Sequence, residues 1–166
     1  MLPIILDGAR IRVAAAGQGE SLQRRVAMLA KAGIGSPRIV SEMTAAGLSG
    51  IAVLFVAGFD EALSARWAEA ARSAGVLVNV EDMPAFCDFH VPAQLHRGDL
   101  LITISTSGRS PGLARILREH LESLFGPEWG GILDATASAR DKWRVEGLPP
   151  EEVSRRTRAM MQGQPK

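Results

Sequence analysis

The chain has a single cysteine, Cys87, among 166 residues, which excludes an internal disulfide and a metal site built from several thiolates. Net charge is also nearly absent, because 19 basic residues face 18 acidic ones, so composition gives no general attraction to nucleic acid. No apolar run is long enough to span a bilayer, and the first residues lack the basic segment that opens a secretory signal. These absences predict a cytoplasmic protein that binds neither nucleic acid nor membranes.

Hydrophobic residues make up 46% of the chain. They are arranged in short apolar runs typical of strands, which alternate with amphipathic segments typical of helices. Such alternation is typical of an α/β fold with a parallel, Rossmann-like sheet. The run 51–57 is almost wholly apolar, as in a strand buried on both faces. We predict strands at 13–16, 37–40, 51–57, 76–80 and 100–104, of which 13–16, 51–57 and 100–104 are buried. Helices are predicted after the turns near Ser21, Asp60 and Ser110, with Asp60 and Ser110 as N-caps.

The last third of the chain follows a different pattern. Residues 126–131 are predicted to form a break, followed by helices at 132–145 and 151–161. We interpret this region as a small helical C-terminal extension that forms a homodimer, although a packing appendage within one chain remains an alternative. The predicted domains are a Rossmann-like domain over 1–110 and a dimerisation helix with a small helical region over 111–166.

A glycine turn, Gly17-Gln18-Gly19, separates the first strand from its helix. A strand, a glycine turn and a helix N-terminus form the arrangement that binds a diphosphate through backbone N–H groups. The signal is partial, because Leu22 occupies the third glycine position, and a plain strand-to-helix corner is the alternative. Glu42, at the end of the second strand, is placed to bind a ribose hydroxyl or is an exposed surface carboxylate.

The strand at 76–80 leads directly into Glu81 and Asp82. Open α/β sheets place their chemistry at the carboxyl ends of strands, so these carboxylates are candidates for proton transfer. The alternative is a solvated turn in which Asp82 caps the following segment.

A hydroxyl-rich turn, Ser105 to Ser110, precedes a helix whose N-terminus favours a nearby anion. Turn capping by the hydroxyls alone is the alternative. His90 and His96 are candidates for proton or metal handling, but a lone histidine in a loop is more often structural or exposed, and no metal ligand is assigned.

Several motifs occur in a fixed order along residues 1 to about 125. They are Leu-Pro-Ile-x-Leu-Asp at 2–7, the glycine turn with its basic helix at 17–33, Val-Asn-Val-x-Asp at 78–82, Cys-Asp-Phe-x-x-Pro-Ala at 87–93, and Ile-Ser-Thr-Ser-Gly-x-Ser-Pro-x-Leu-Ala-Arg at 104–115. The ordered set resembles the precorrin-2 dehydrogenase family, which also forms the N-terminal half of bacterial sirohaem synthase and includes members with ferrochelatase activity.

The resemblance implies an NAD-binding Rossmann domain, a dimerisation region, and oxidation of precorrin-2 to sirohydrochlorin. Asp82 matches the family's catalytic aspartate, as a general base or as a proton acceptor during metal insertion. The implied cofactor-binding positions are Gly17, Gln18, Gly19, Glu20, Ser21, Glu42, Met43, Thr44, Ala57 and Gly58. The tetrapyrrole substrate carries several carboxylates, and the candidates to bind them are Arg97, Ser105, Thr106, Ser107 and Arg109.

The sequence departs from the family pattern in three places. Gln18 and Leu22 replace small residues of the glycine loop. The stretch between Glu42 and Ile51 is also too short for the helix and edge strand that the family carries there. We therefore expect a shortened sheet without that edge strand, and the alternative functions are a chelatase alone or a non-catalytic tetrapyrrole-binding protein.

Overall fold

The computed structural model describes residues 2–162 and divides the chain into two compact units, Met1–Val91 and Pro92–Lys166. The sequence interpretation places a boundary after residue 110, and the difference has a structural cause. Residues 93–104 form a hairpin of their own instead of joining the parallel sheet of the first unit.

The first unit is built on a parallel sheet of four strands in the order β2-β1-β3-β4. The strands are β1 (Val13–Gly17), β2 (Arg38–Ile39), β3 (Val53–Ala57) and β4 (Leu77–Val80). The helices are α1 (Gly19–Lys31), α2 (Ala45–Leu48) and α3 (Glu61–Ser73), and a 3₁₀ turn follows β4 at Pro84–Phe86. In the central register, Gly17 pairs with Ala57 and Phe55 pairs with Asn79.

Strand β3 is buried along its whole length, as its unbroken apolar run predicts. Leu54 and Val56 pack in the cluster that contains Trp67 of α3, whereas Val53 and Phe55 pack in a second cluster that contains Leu29 of α1. Each fully buried aliphatic side chain contributes roughly 1.5–3 kcal/mol. Helices therefore cover both faces of the sheet, and the predicted α/β, Rossmann-like fold is confirmed.

The predicted loss of an edge strand is also confirmed. Within residues 2–162, nothing pairs with the outer side of β2, which is only two residues long. The segment where the resemblance implies a helix and a strand holds only the four-residue helix α2. Thr44 caps this helix, and its hydroxyl accepts from Gly47 N at 3.0 Å.

The second unit begins with an antiparallel hairpin of β5 (Ala93–Arg97) and β6 (Leu100–Ile104). The prediction of 100–104 as a buried strand is therefore wrong, since every residue of β6 is half-buried or exposed. A two-residue connection, Gly98-Asp99, joins only antiparallel neighbours, and Gly98 has the positive φ of 58° that such a turn needs.

Three helices complete the second unit: α4 (Pro111–Leu124), α5 (Glu128–Val145) and α6 (Pro150–Met161). Ser110 caps α4 as predicted, accepting from Leu113 N at 3.3 Å. The predicted break at 126–131 is too long, because α5 already begins at Glu128. Gly130 lies inside that helix, where a β-carbon would come within 3.1 Å of the Arg97 carbonyl, so glycine allows the helix to approach the hairpin. None of the helices formed by residues 2–162 combines the length and apolar character that crossing a bilayer requires.

Candidate active site at the carboxyl edge of the sheet

The carboxyl ends of the four parallel strands bring most of the predicted site residues of the first unit to one edge. Following the strand order, Glu42 to Thr44 come after β2, Gly17 to Ser21 after β1, Ala57 and Gly58 after β3, and Asp82 after β4. Neighbouring strands lie about 4.8 Å apart, so β1 and β4 are separated by about 10 Å. The predicted cofactor residues and the predicted catalytic residue therefore share one edge.

The glycine turn is packed directly against the end of β3. Gln18 N donates to Ala57 O at 3.2 Å, and a β-carbon on Gly17 would lie 2.1 Å from that same oxygen. Gly58 adopts a φ of 78°, and a β-carbon there would lie 2.3 Å from Gln18 O. Only glycine at these two positions permits the close approach of the two turns.

The N-terminus of α1 is open at this turn. Gly19 has a φ of 62°, and a β-carbon there would meet no atom within 4 Å, so its backbone faces open space. The N-cap residue Gln18 gives no side-chain cap, which leaves the first N–H groups of α1 available for an anion. Leu22 does not block this surface, since its half-buried side chain packs in the cluster around Phe55. The residues present fit a dinucleotide diphosphate.

Two predicted cofactor residues are already engaged in local contacts. The Ser21 hydroxyl accepts from Arg24 Nη2 at 2.8 Å, and the Thr44 hydroxyl caps α2. Glu20 is exposed and lies 3.7 Å from Arg24. Glu42 is exposed, whereas Met43 packs against the core cluster that contains Val56.

Asp82 stands in a strained turn after β4. Its φ is 57°, a left-handed conformation that costs a non-glycine residue roughly 1–2 kcal/mol and that is concentrated at functional sites. Its side chain is exposed, and its carboxylate makes no hydrogen bond or ion pair with another residue in 2–162. The carboxylate is therefore free to accept a proton from a bound molecule.

The segment after Asp82 is fixed to the outer edge of β4. Asp88 N donates to Val78 O at 2.8 Å, and Asp88 Oδ2 accepts from Val78 N at 3.0 Å. Cys87 Sγ accepts from Val80 N at 3.2 Å, and Asn79 Nδ2 donates to Phe89 O at 2.9 Å. These contacts satisfy the exposed edge of the sheet and anchor both ends of the loop that carries Asp82.

Arg72 and Arg25 support this loop, and neither role was predicted from the sequence. Arg72 Nε donates to Asp88 Oδ1 at 2.8 Å, and its Nη2 donates to Phe86 O at 2.9 Å. Arg25 lies over the Phe55 ring, 5.3 Å from its centroid, and 4.0 Å from Glu81. The polar Asn79 within an apolar strand signals only the neighbouring hydrogen bond to Phe89 O, and nothing in the sequence points to the two arginines.

The predicted substrate residues all lie in the second unit, and most have intramolecular partners. Arg97 donates from Nε to Phe125 O at 2.6 Å, from Nη1 to His96 O at 2.9 Å and from Nη2 to Glu122 O at 3.3 Å. The contacts with Phe125 O and Glu122 O cap the carboxyl end of α4. They give Arg97 a structural role that sequence spacing does not reveal.

The hydroxyls of the turn Ser105 to Ser110 accept hydrogen bonds from N–H groups of the same turn. Ser105 Oγ accepts from Ser107 N, and Thr106 Oγ1 accepts from Ser110 N, both at 3.2 Å. Ser107 has a positive φ of 54°. Arg109 is exposed and forms no ion pair within residues 2–162, so of the two arginines it is the one with a free guanidinium.

No preformed metal site is found among residues 2–162. Among residues 2–162, no three side chains of His, Cys, Asp or Glu are grouped so as to hold a metal ion. His90 and His96 are exposed, and His96 contacts Gln94 at 3.3 Å.

Comparison with known proteins agrees with this architecture. A family described as "Putative NAD(P)-binding" matches residues 7–93, and one described as "Sirohaem biosynthesis protein central" matches residues 97–124. The chain is 32% identical to a sirohaem synthase of Methylococcus capsulatus over 175 residues, covering 93% of the chain and 36% of that protein.

Two further comparisons agree with these matches. A sirohaem synthase of Nitrosomonas europaea is 36% identical over 112 residues, covering 68% of the chain and 24% of that protein. The chain thus spans about a third of the length of the curated relatives it matches first. The solved structure of SirC, a precorrin-2 dehydrogenase, has the same fold with a TM-score of 0.72, at 20% identity over 99% of this chain and 91% of SirC.

Proposed function

We propose that this chain, which belongs to the NAD(P)-binding family matched over residues 7–93, oxidises precorrin-2 to sirohydrochlorin with NAD as hydride acceptor. The observation that carries the proposal is the shared sheet edge. It places an open glycine turn, the end of β3 and a free carboxylate on adjacent strands. The similarity to sirohaem synthases supports a tetrapyrrole as the substrate.

The dinucleotide binds at the glycine turn in this proposal. Gly19 and the first N–H groups of α1 hold the diphosphate, and Ala57 and Gly58 border the nicotinamide. Glu42 favours NAD over NADP, because a carboxylate accepts hydrogen bonds from a ribose hydroxyl and repels a 2′-phosphate. The nicotinamide ring supplies the acceptor for the hydride when it is bound.

Asp82 accepts the proton in the same reaction. Loss of a hydride and a proton from the macrocycle forms the new double bond, and an exposed carboxylate without intramolecular partners is available for the proton. The anchored segment Cys87–Phe89 and Arg72 keep the loop in place, so that the carboxylate keeps its position when substrate binds.

Arg109 and the turn Ser105 to Ser107 are proposed to bind the carboxylates of the substrate. Arg109 has a free guanidinium, whereas Arg97 contributes mainly through its support of α4. Replacement of Arg109 by alanine therefore weakens tetrapyrrole binding more than NAD binding.

The chain is also proposed to act as a homodimer. Four large apolar side chains of α4 remain exposed: Leu113 by 49%, Ile116 by 62%, Leu117 by 39% and Leu124 by 48%. They give one amphipathic helix an apolar surface that a second copy would cover.

The experiment is anaerobic turnover of precorrin-2 with NAD, comparing Asp82→Asn with Asp134→Asn. Asp134 is an exposed carboxylate on α5 without an ion pair in residues 2–162, so its variant controls for the loss of one charge. We expect Asp82→Asn to lower kcat by at least about 100-fold, the usual contribution of a general base, while NAD binding is unchanged. Full activity in that variant would remove Asp82 from the mechanism.

A chelatase or a tetrapyrrole carrier without dehydrogenase activity is the second candidate. The shortened segment between β2 and β3 favours it, because the adenosine side of the sheet edge has lost a strand. Both alternatives need Asp82 or the substrate residues but not the glycine turn. Tetrapyrrole binding without NAD binding would identify them.

A further inference from the structure

A cavity of about 310 Å³ opens at the amino edge of the first unit's sheet. Arg12 precedes β1, Arg38 begins β2 and Ile51 precedes β3, so its lining comes from the amino ends of three parallel strands. The glycine turn lies at the other end of β1, and five residues at about 3.3 Å each separate the two by about 16 Å. The cavity is therefore distinct from the proposed dinucleotide site.

The charge of this cavity is positive and uncompensated. Neither Arg12 nor Arg38 has a carboxylate within 4.0 Å among residues 2–162, and both side chains belong to exposed residues. Arg10, two residues away, is by contrast neutralised by Asp7 at 3.1 Å. Two arginines that line one cavity without an acidic partner attract a carboxylate or a phosphate, which a guanidinium can bind with two parallel hydrogen bonds.

The Arg12 side chain lies against the backbone of Gly50. A β-carbon on Gly50, where φ is 70°, would lie 2.7 Å from Arg12 Nη1, so the guanidinium rests against a glycine backbone. Restricting a long side chain before binding lowers the entropy lost when a ligand is bound. The contact with Gly50 removes part of the space that is open to the Arg12 head group.

The remaining walls are apolar. Ile11, Ile34 and Ile51 line the cavity, and the turn at Gly8 packs so closely on Ile34 that a β-carbon there would lie 2.6 Å from Ile34 Cγ1. Ser36 adds a hydroxyl. A volume of 310 Å³ reaches the lower end of the range of about 300–1,000 Å³ that small-molecule sites occupy.

We propose that this cavity binds a small organic oxyanion, with its phosphate or carboxylate held by Arg12 and Arg38 and its short aliphatic part against the isoleucine walls. The site is additional to the dinucleotide and tetrapyrrole sites. Its binding is electrostatic in part and weakens as the salt concentration rises.

The test is a nuclear magnetic resonance titration of the isotope-labelled chain with two probes, monobutyl phosphate and glutarate. We expect saturable shifts of the Gly8, Gly35 and Ser36 amides, while the Gly17 and Gly19 amides do not move. The probe that binds more tightly identifies phosphate or carboxylate as the preferred group.

The Arg12→Gln/Arg38→Gln double variant should raise the dissociation constant at least about tenfold, equivalent to about 1.4 kcal/mol. Arg66→Gln is the matched control, since Arg66 is an exposed arginine of α3 in the same unit. If the double variant loses its dispersed spectrum, Arg38→Gln alone replaces it, with a smaller increase expected. No saturable shift, shifts centred on Gly17 and Gly19, or equal binding by the variants would overturn the proposal.

Discussion

Replacing Gly58 by alanine should damage the fold and the dinucleotide site together, because this glycine joins the two turns. Its φ of 78° costs an L-residue roughly 1–2 kcal/mol, independent of its neighbours. The added β-carbon would also lie 2.3 Å from Gln18 O, and since that atom is backbone, the glycine turn itself must move. Overpacking of this kind adds roughly 1–3 kcal/mol, giving a total of roughly 2–5 kcal/mol.

Gly75 provides the matched control. Its φ of 71° is nearly the same, but a β-carbon there would meet no atom within 4 Å. Gly75→Ala should therefore carry the backbone cost alone, roughly 1–2 kcal/mol. The difference between the two variants measures the contact between the turns.

Urea unfolding measures the two stabilities, and calorimetry of NAD binding measures the effect on the site. We expect Gly58→Ala to be the less stable variant and to bind NAD at least about tenfold more weakly than Gly75→Ala. Equal losses of stability would show that the turns do not pack as described. Unchanged NAD binding in Gly58→Ala would refute the position assigned to the dinucleotide.

Three further predictions concern other parts of the molecule. Asp88→Asn should lower the free energy of unfolding by roughly 1.5–3 kcal/mol, because it weakens a charged hydrogen-bond partner of Arg72, and it should reduce kcat more than NAD affinity; Glu69→Gln is the exposed control. Ile116→Lys should yield a monomer in sedimentation experiments, whereas Ala137→Lys on α5 should not, and a dimer in both variants would place the interface elsewhere. Hydrogen bonds from Arg155 and then Arg156 lower the pKa of Glu152 to about 2. Because this folded-state pKa lies below the ordinary 4.5, the stabilisation is present above about pH 4.5 and is lost as the pH falls toward 2. A carboxyl titration by nuclear magnetic resonance should show that midpoint and its rise in Arg155→Gln, and a midpoint near 4.5 in the unsubstituted chain would contradict the ion pairs.

The sequence predicts best where one local pattern decides the structure. The apolar run of β3 and the caps at Asp60 and Ser110 could be recognised because a buried parallel strand and a helix start each have their own residue preferences. The short segment before Ile51 likewise allowed no room for another strand. These features depend on neighbours in the chain and not on distant contacts.

The misassigned strand at 100–104 shows the limit of such patterns. Its apolar residues are compatible with either a buried parallel strand or a hairpin, and the two-residue turn Gly98-Asp99 decides between them. The capping role of Arg97 was beyond prediction because its acceptors at the end of α4 lie 25 and 28 positions away in the sequence. The acceptors of Arg72 lie 14 and 16 positions away. Long-range contacts of this kind are fixed by packing, which spacing along the chain does not encode.

Calorimetric titration with NAD, and separately with sirohydrochlorin, tests most directly whether the shortened sheet still binds a dinucleotide. We predict that both bind in the micromolar range, with a free energy of roughly −8 kcal/mol each. Binding of sirohydrochlorin with no binding of NAD would contradict it. The chain would then be a chelatase or a carrier, and the missing strand beyond β2 would explain why NAD does not bind.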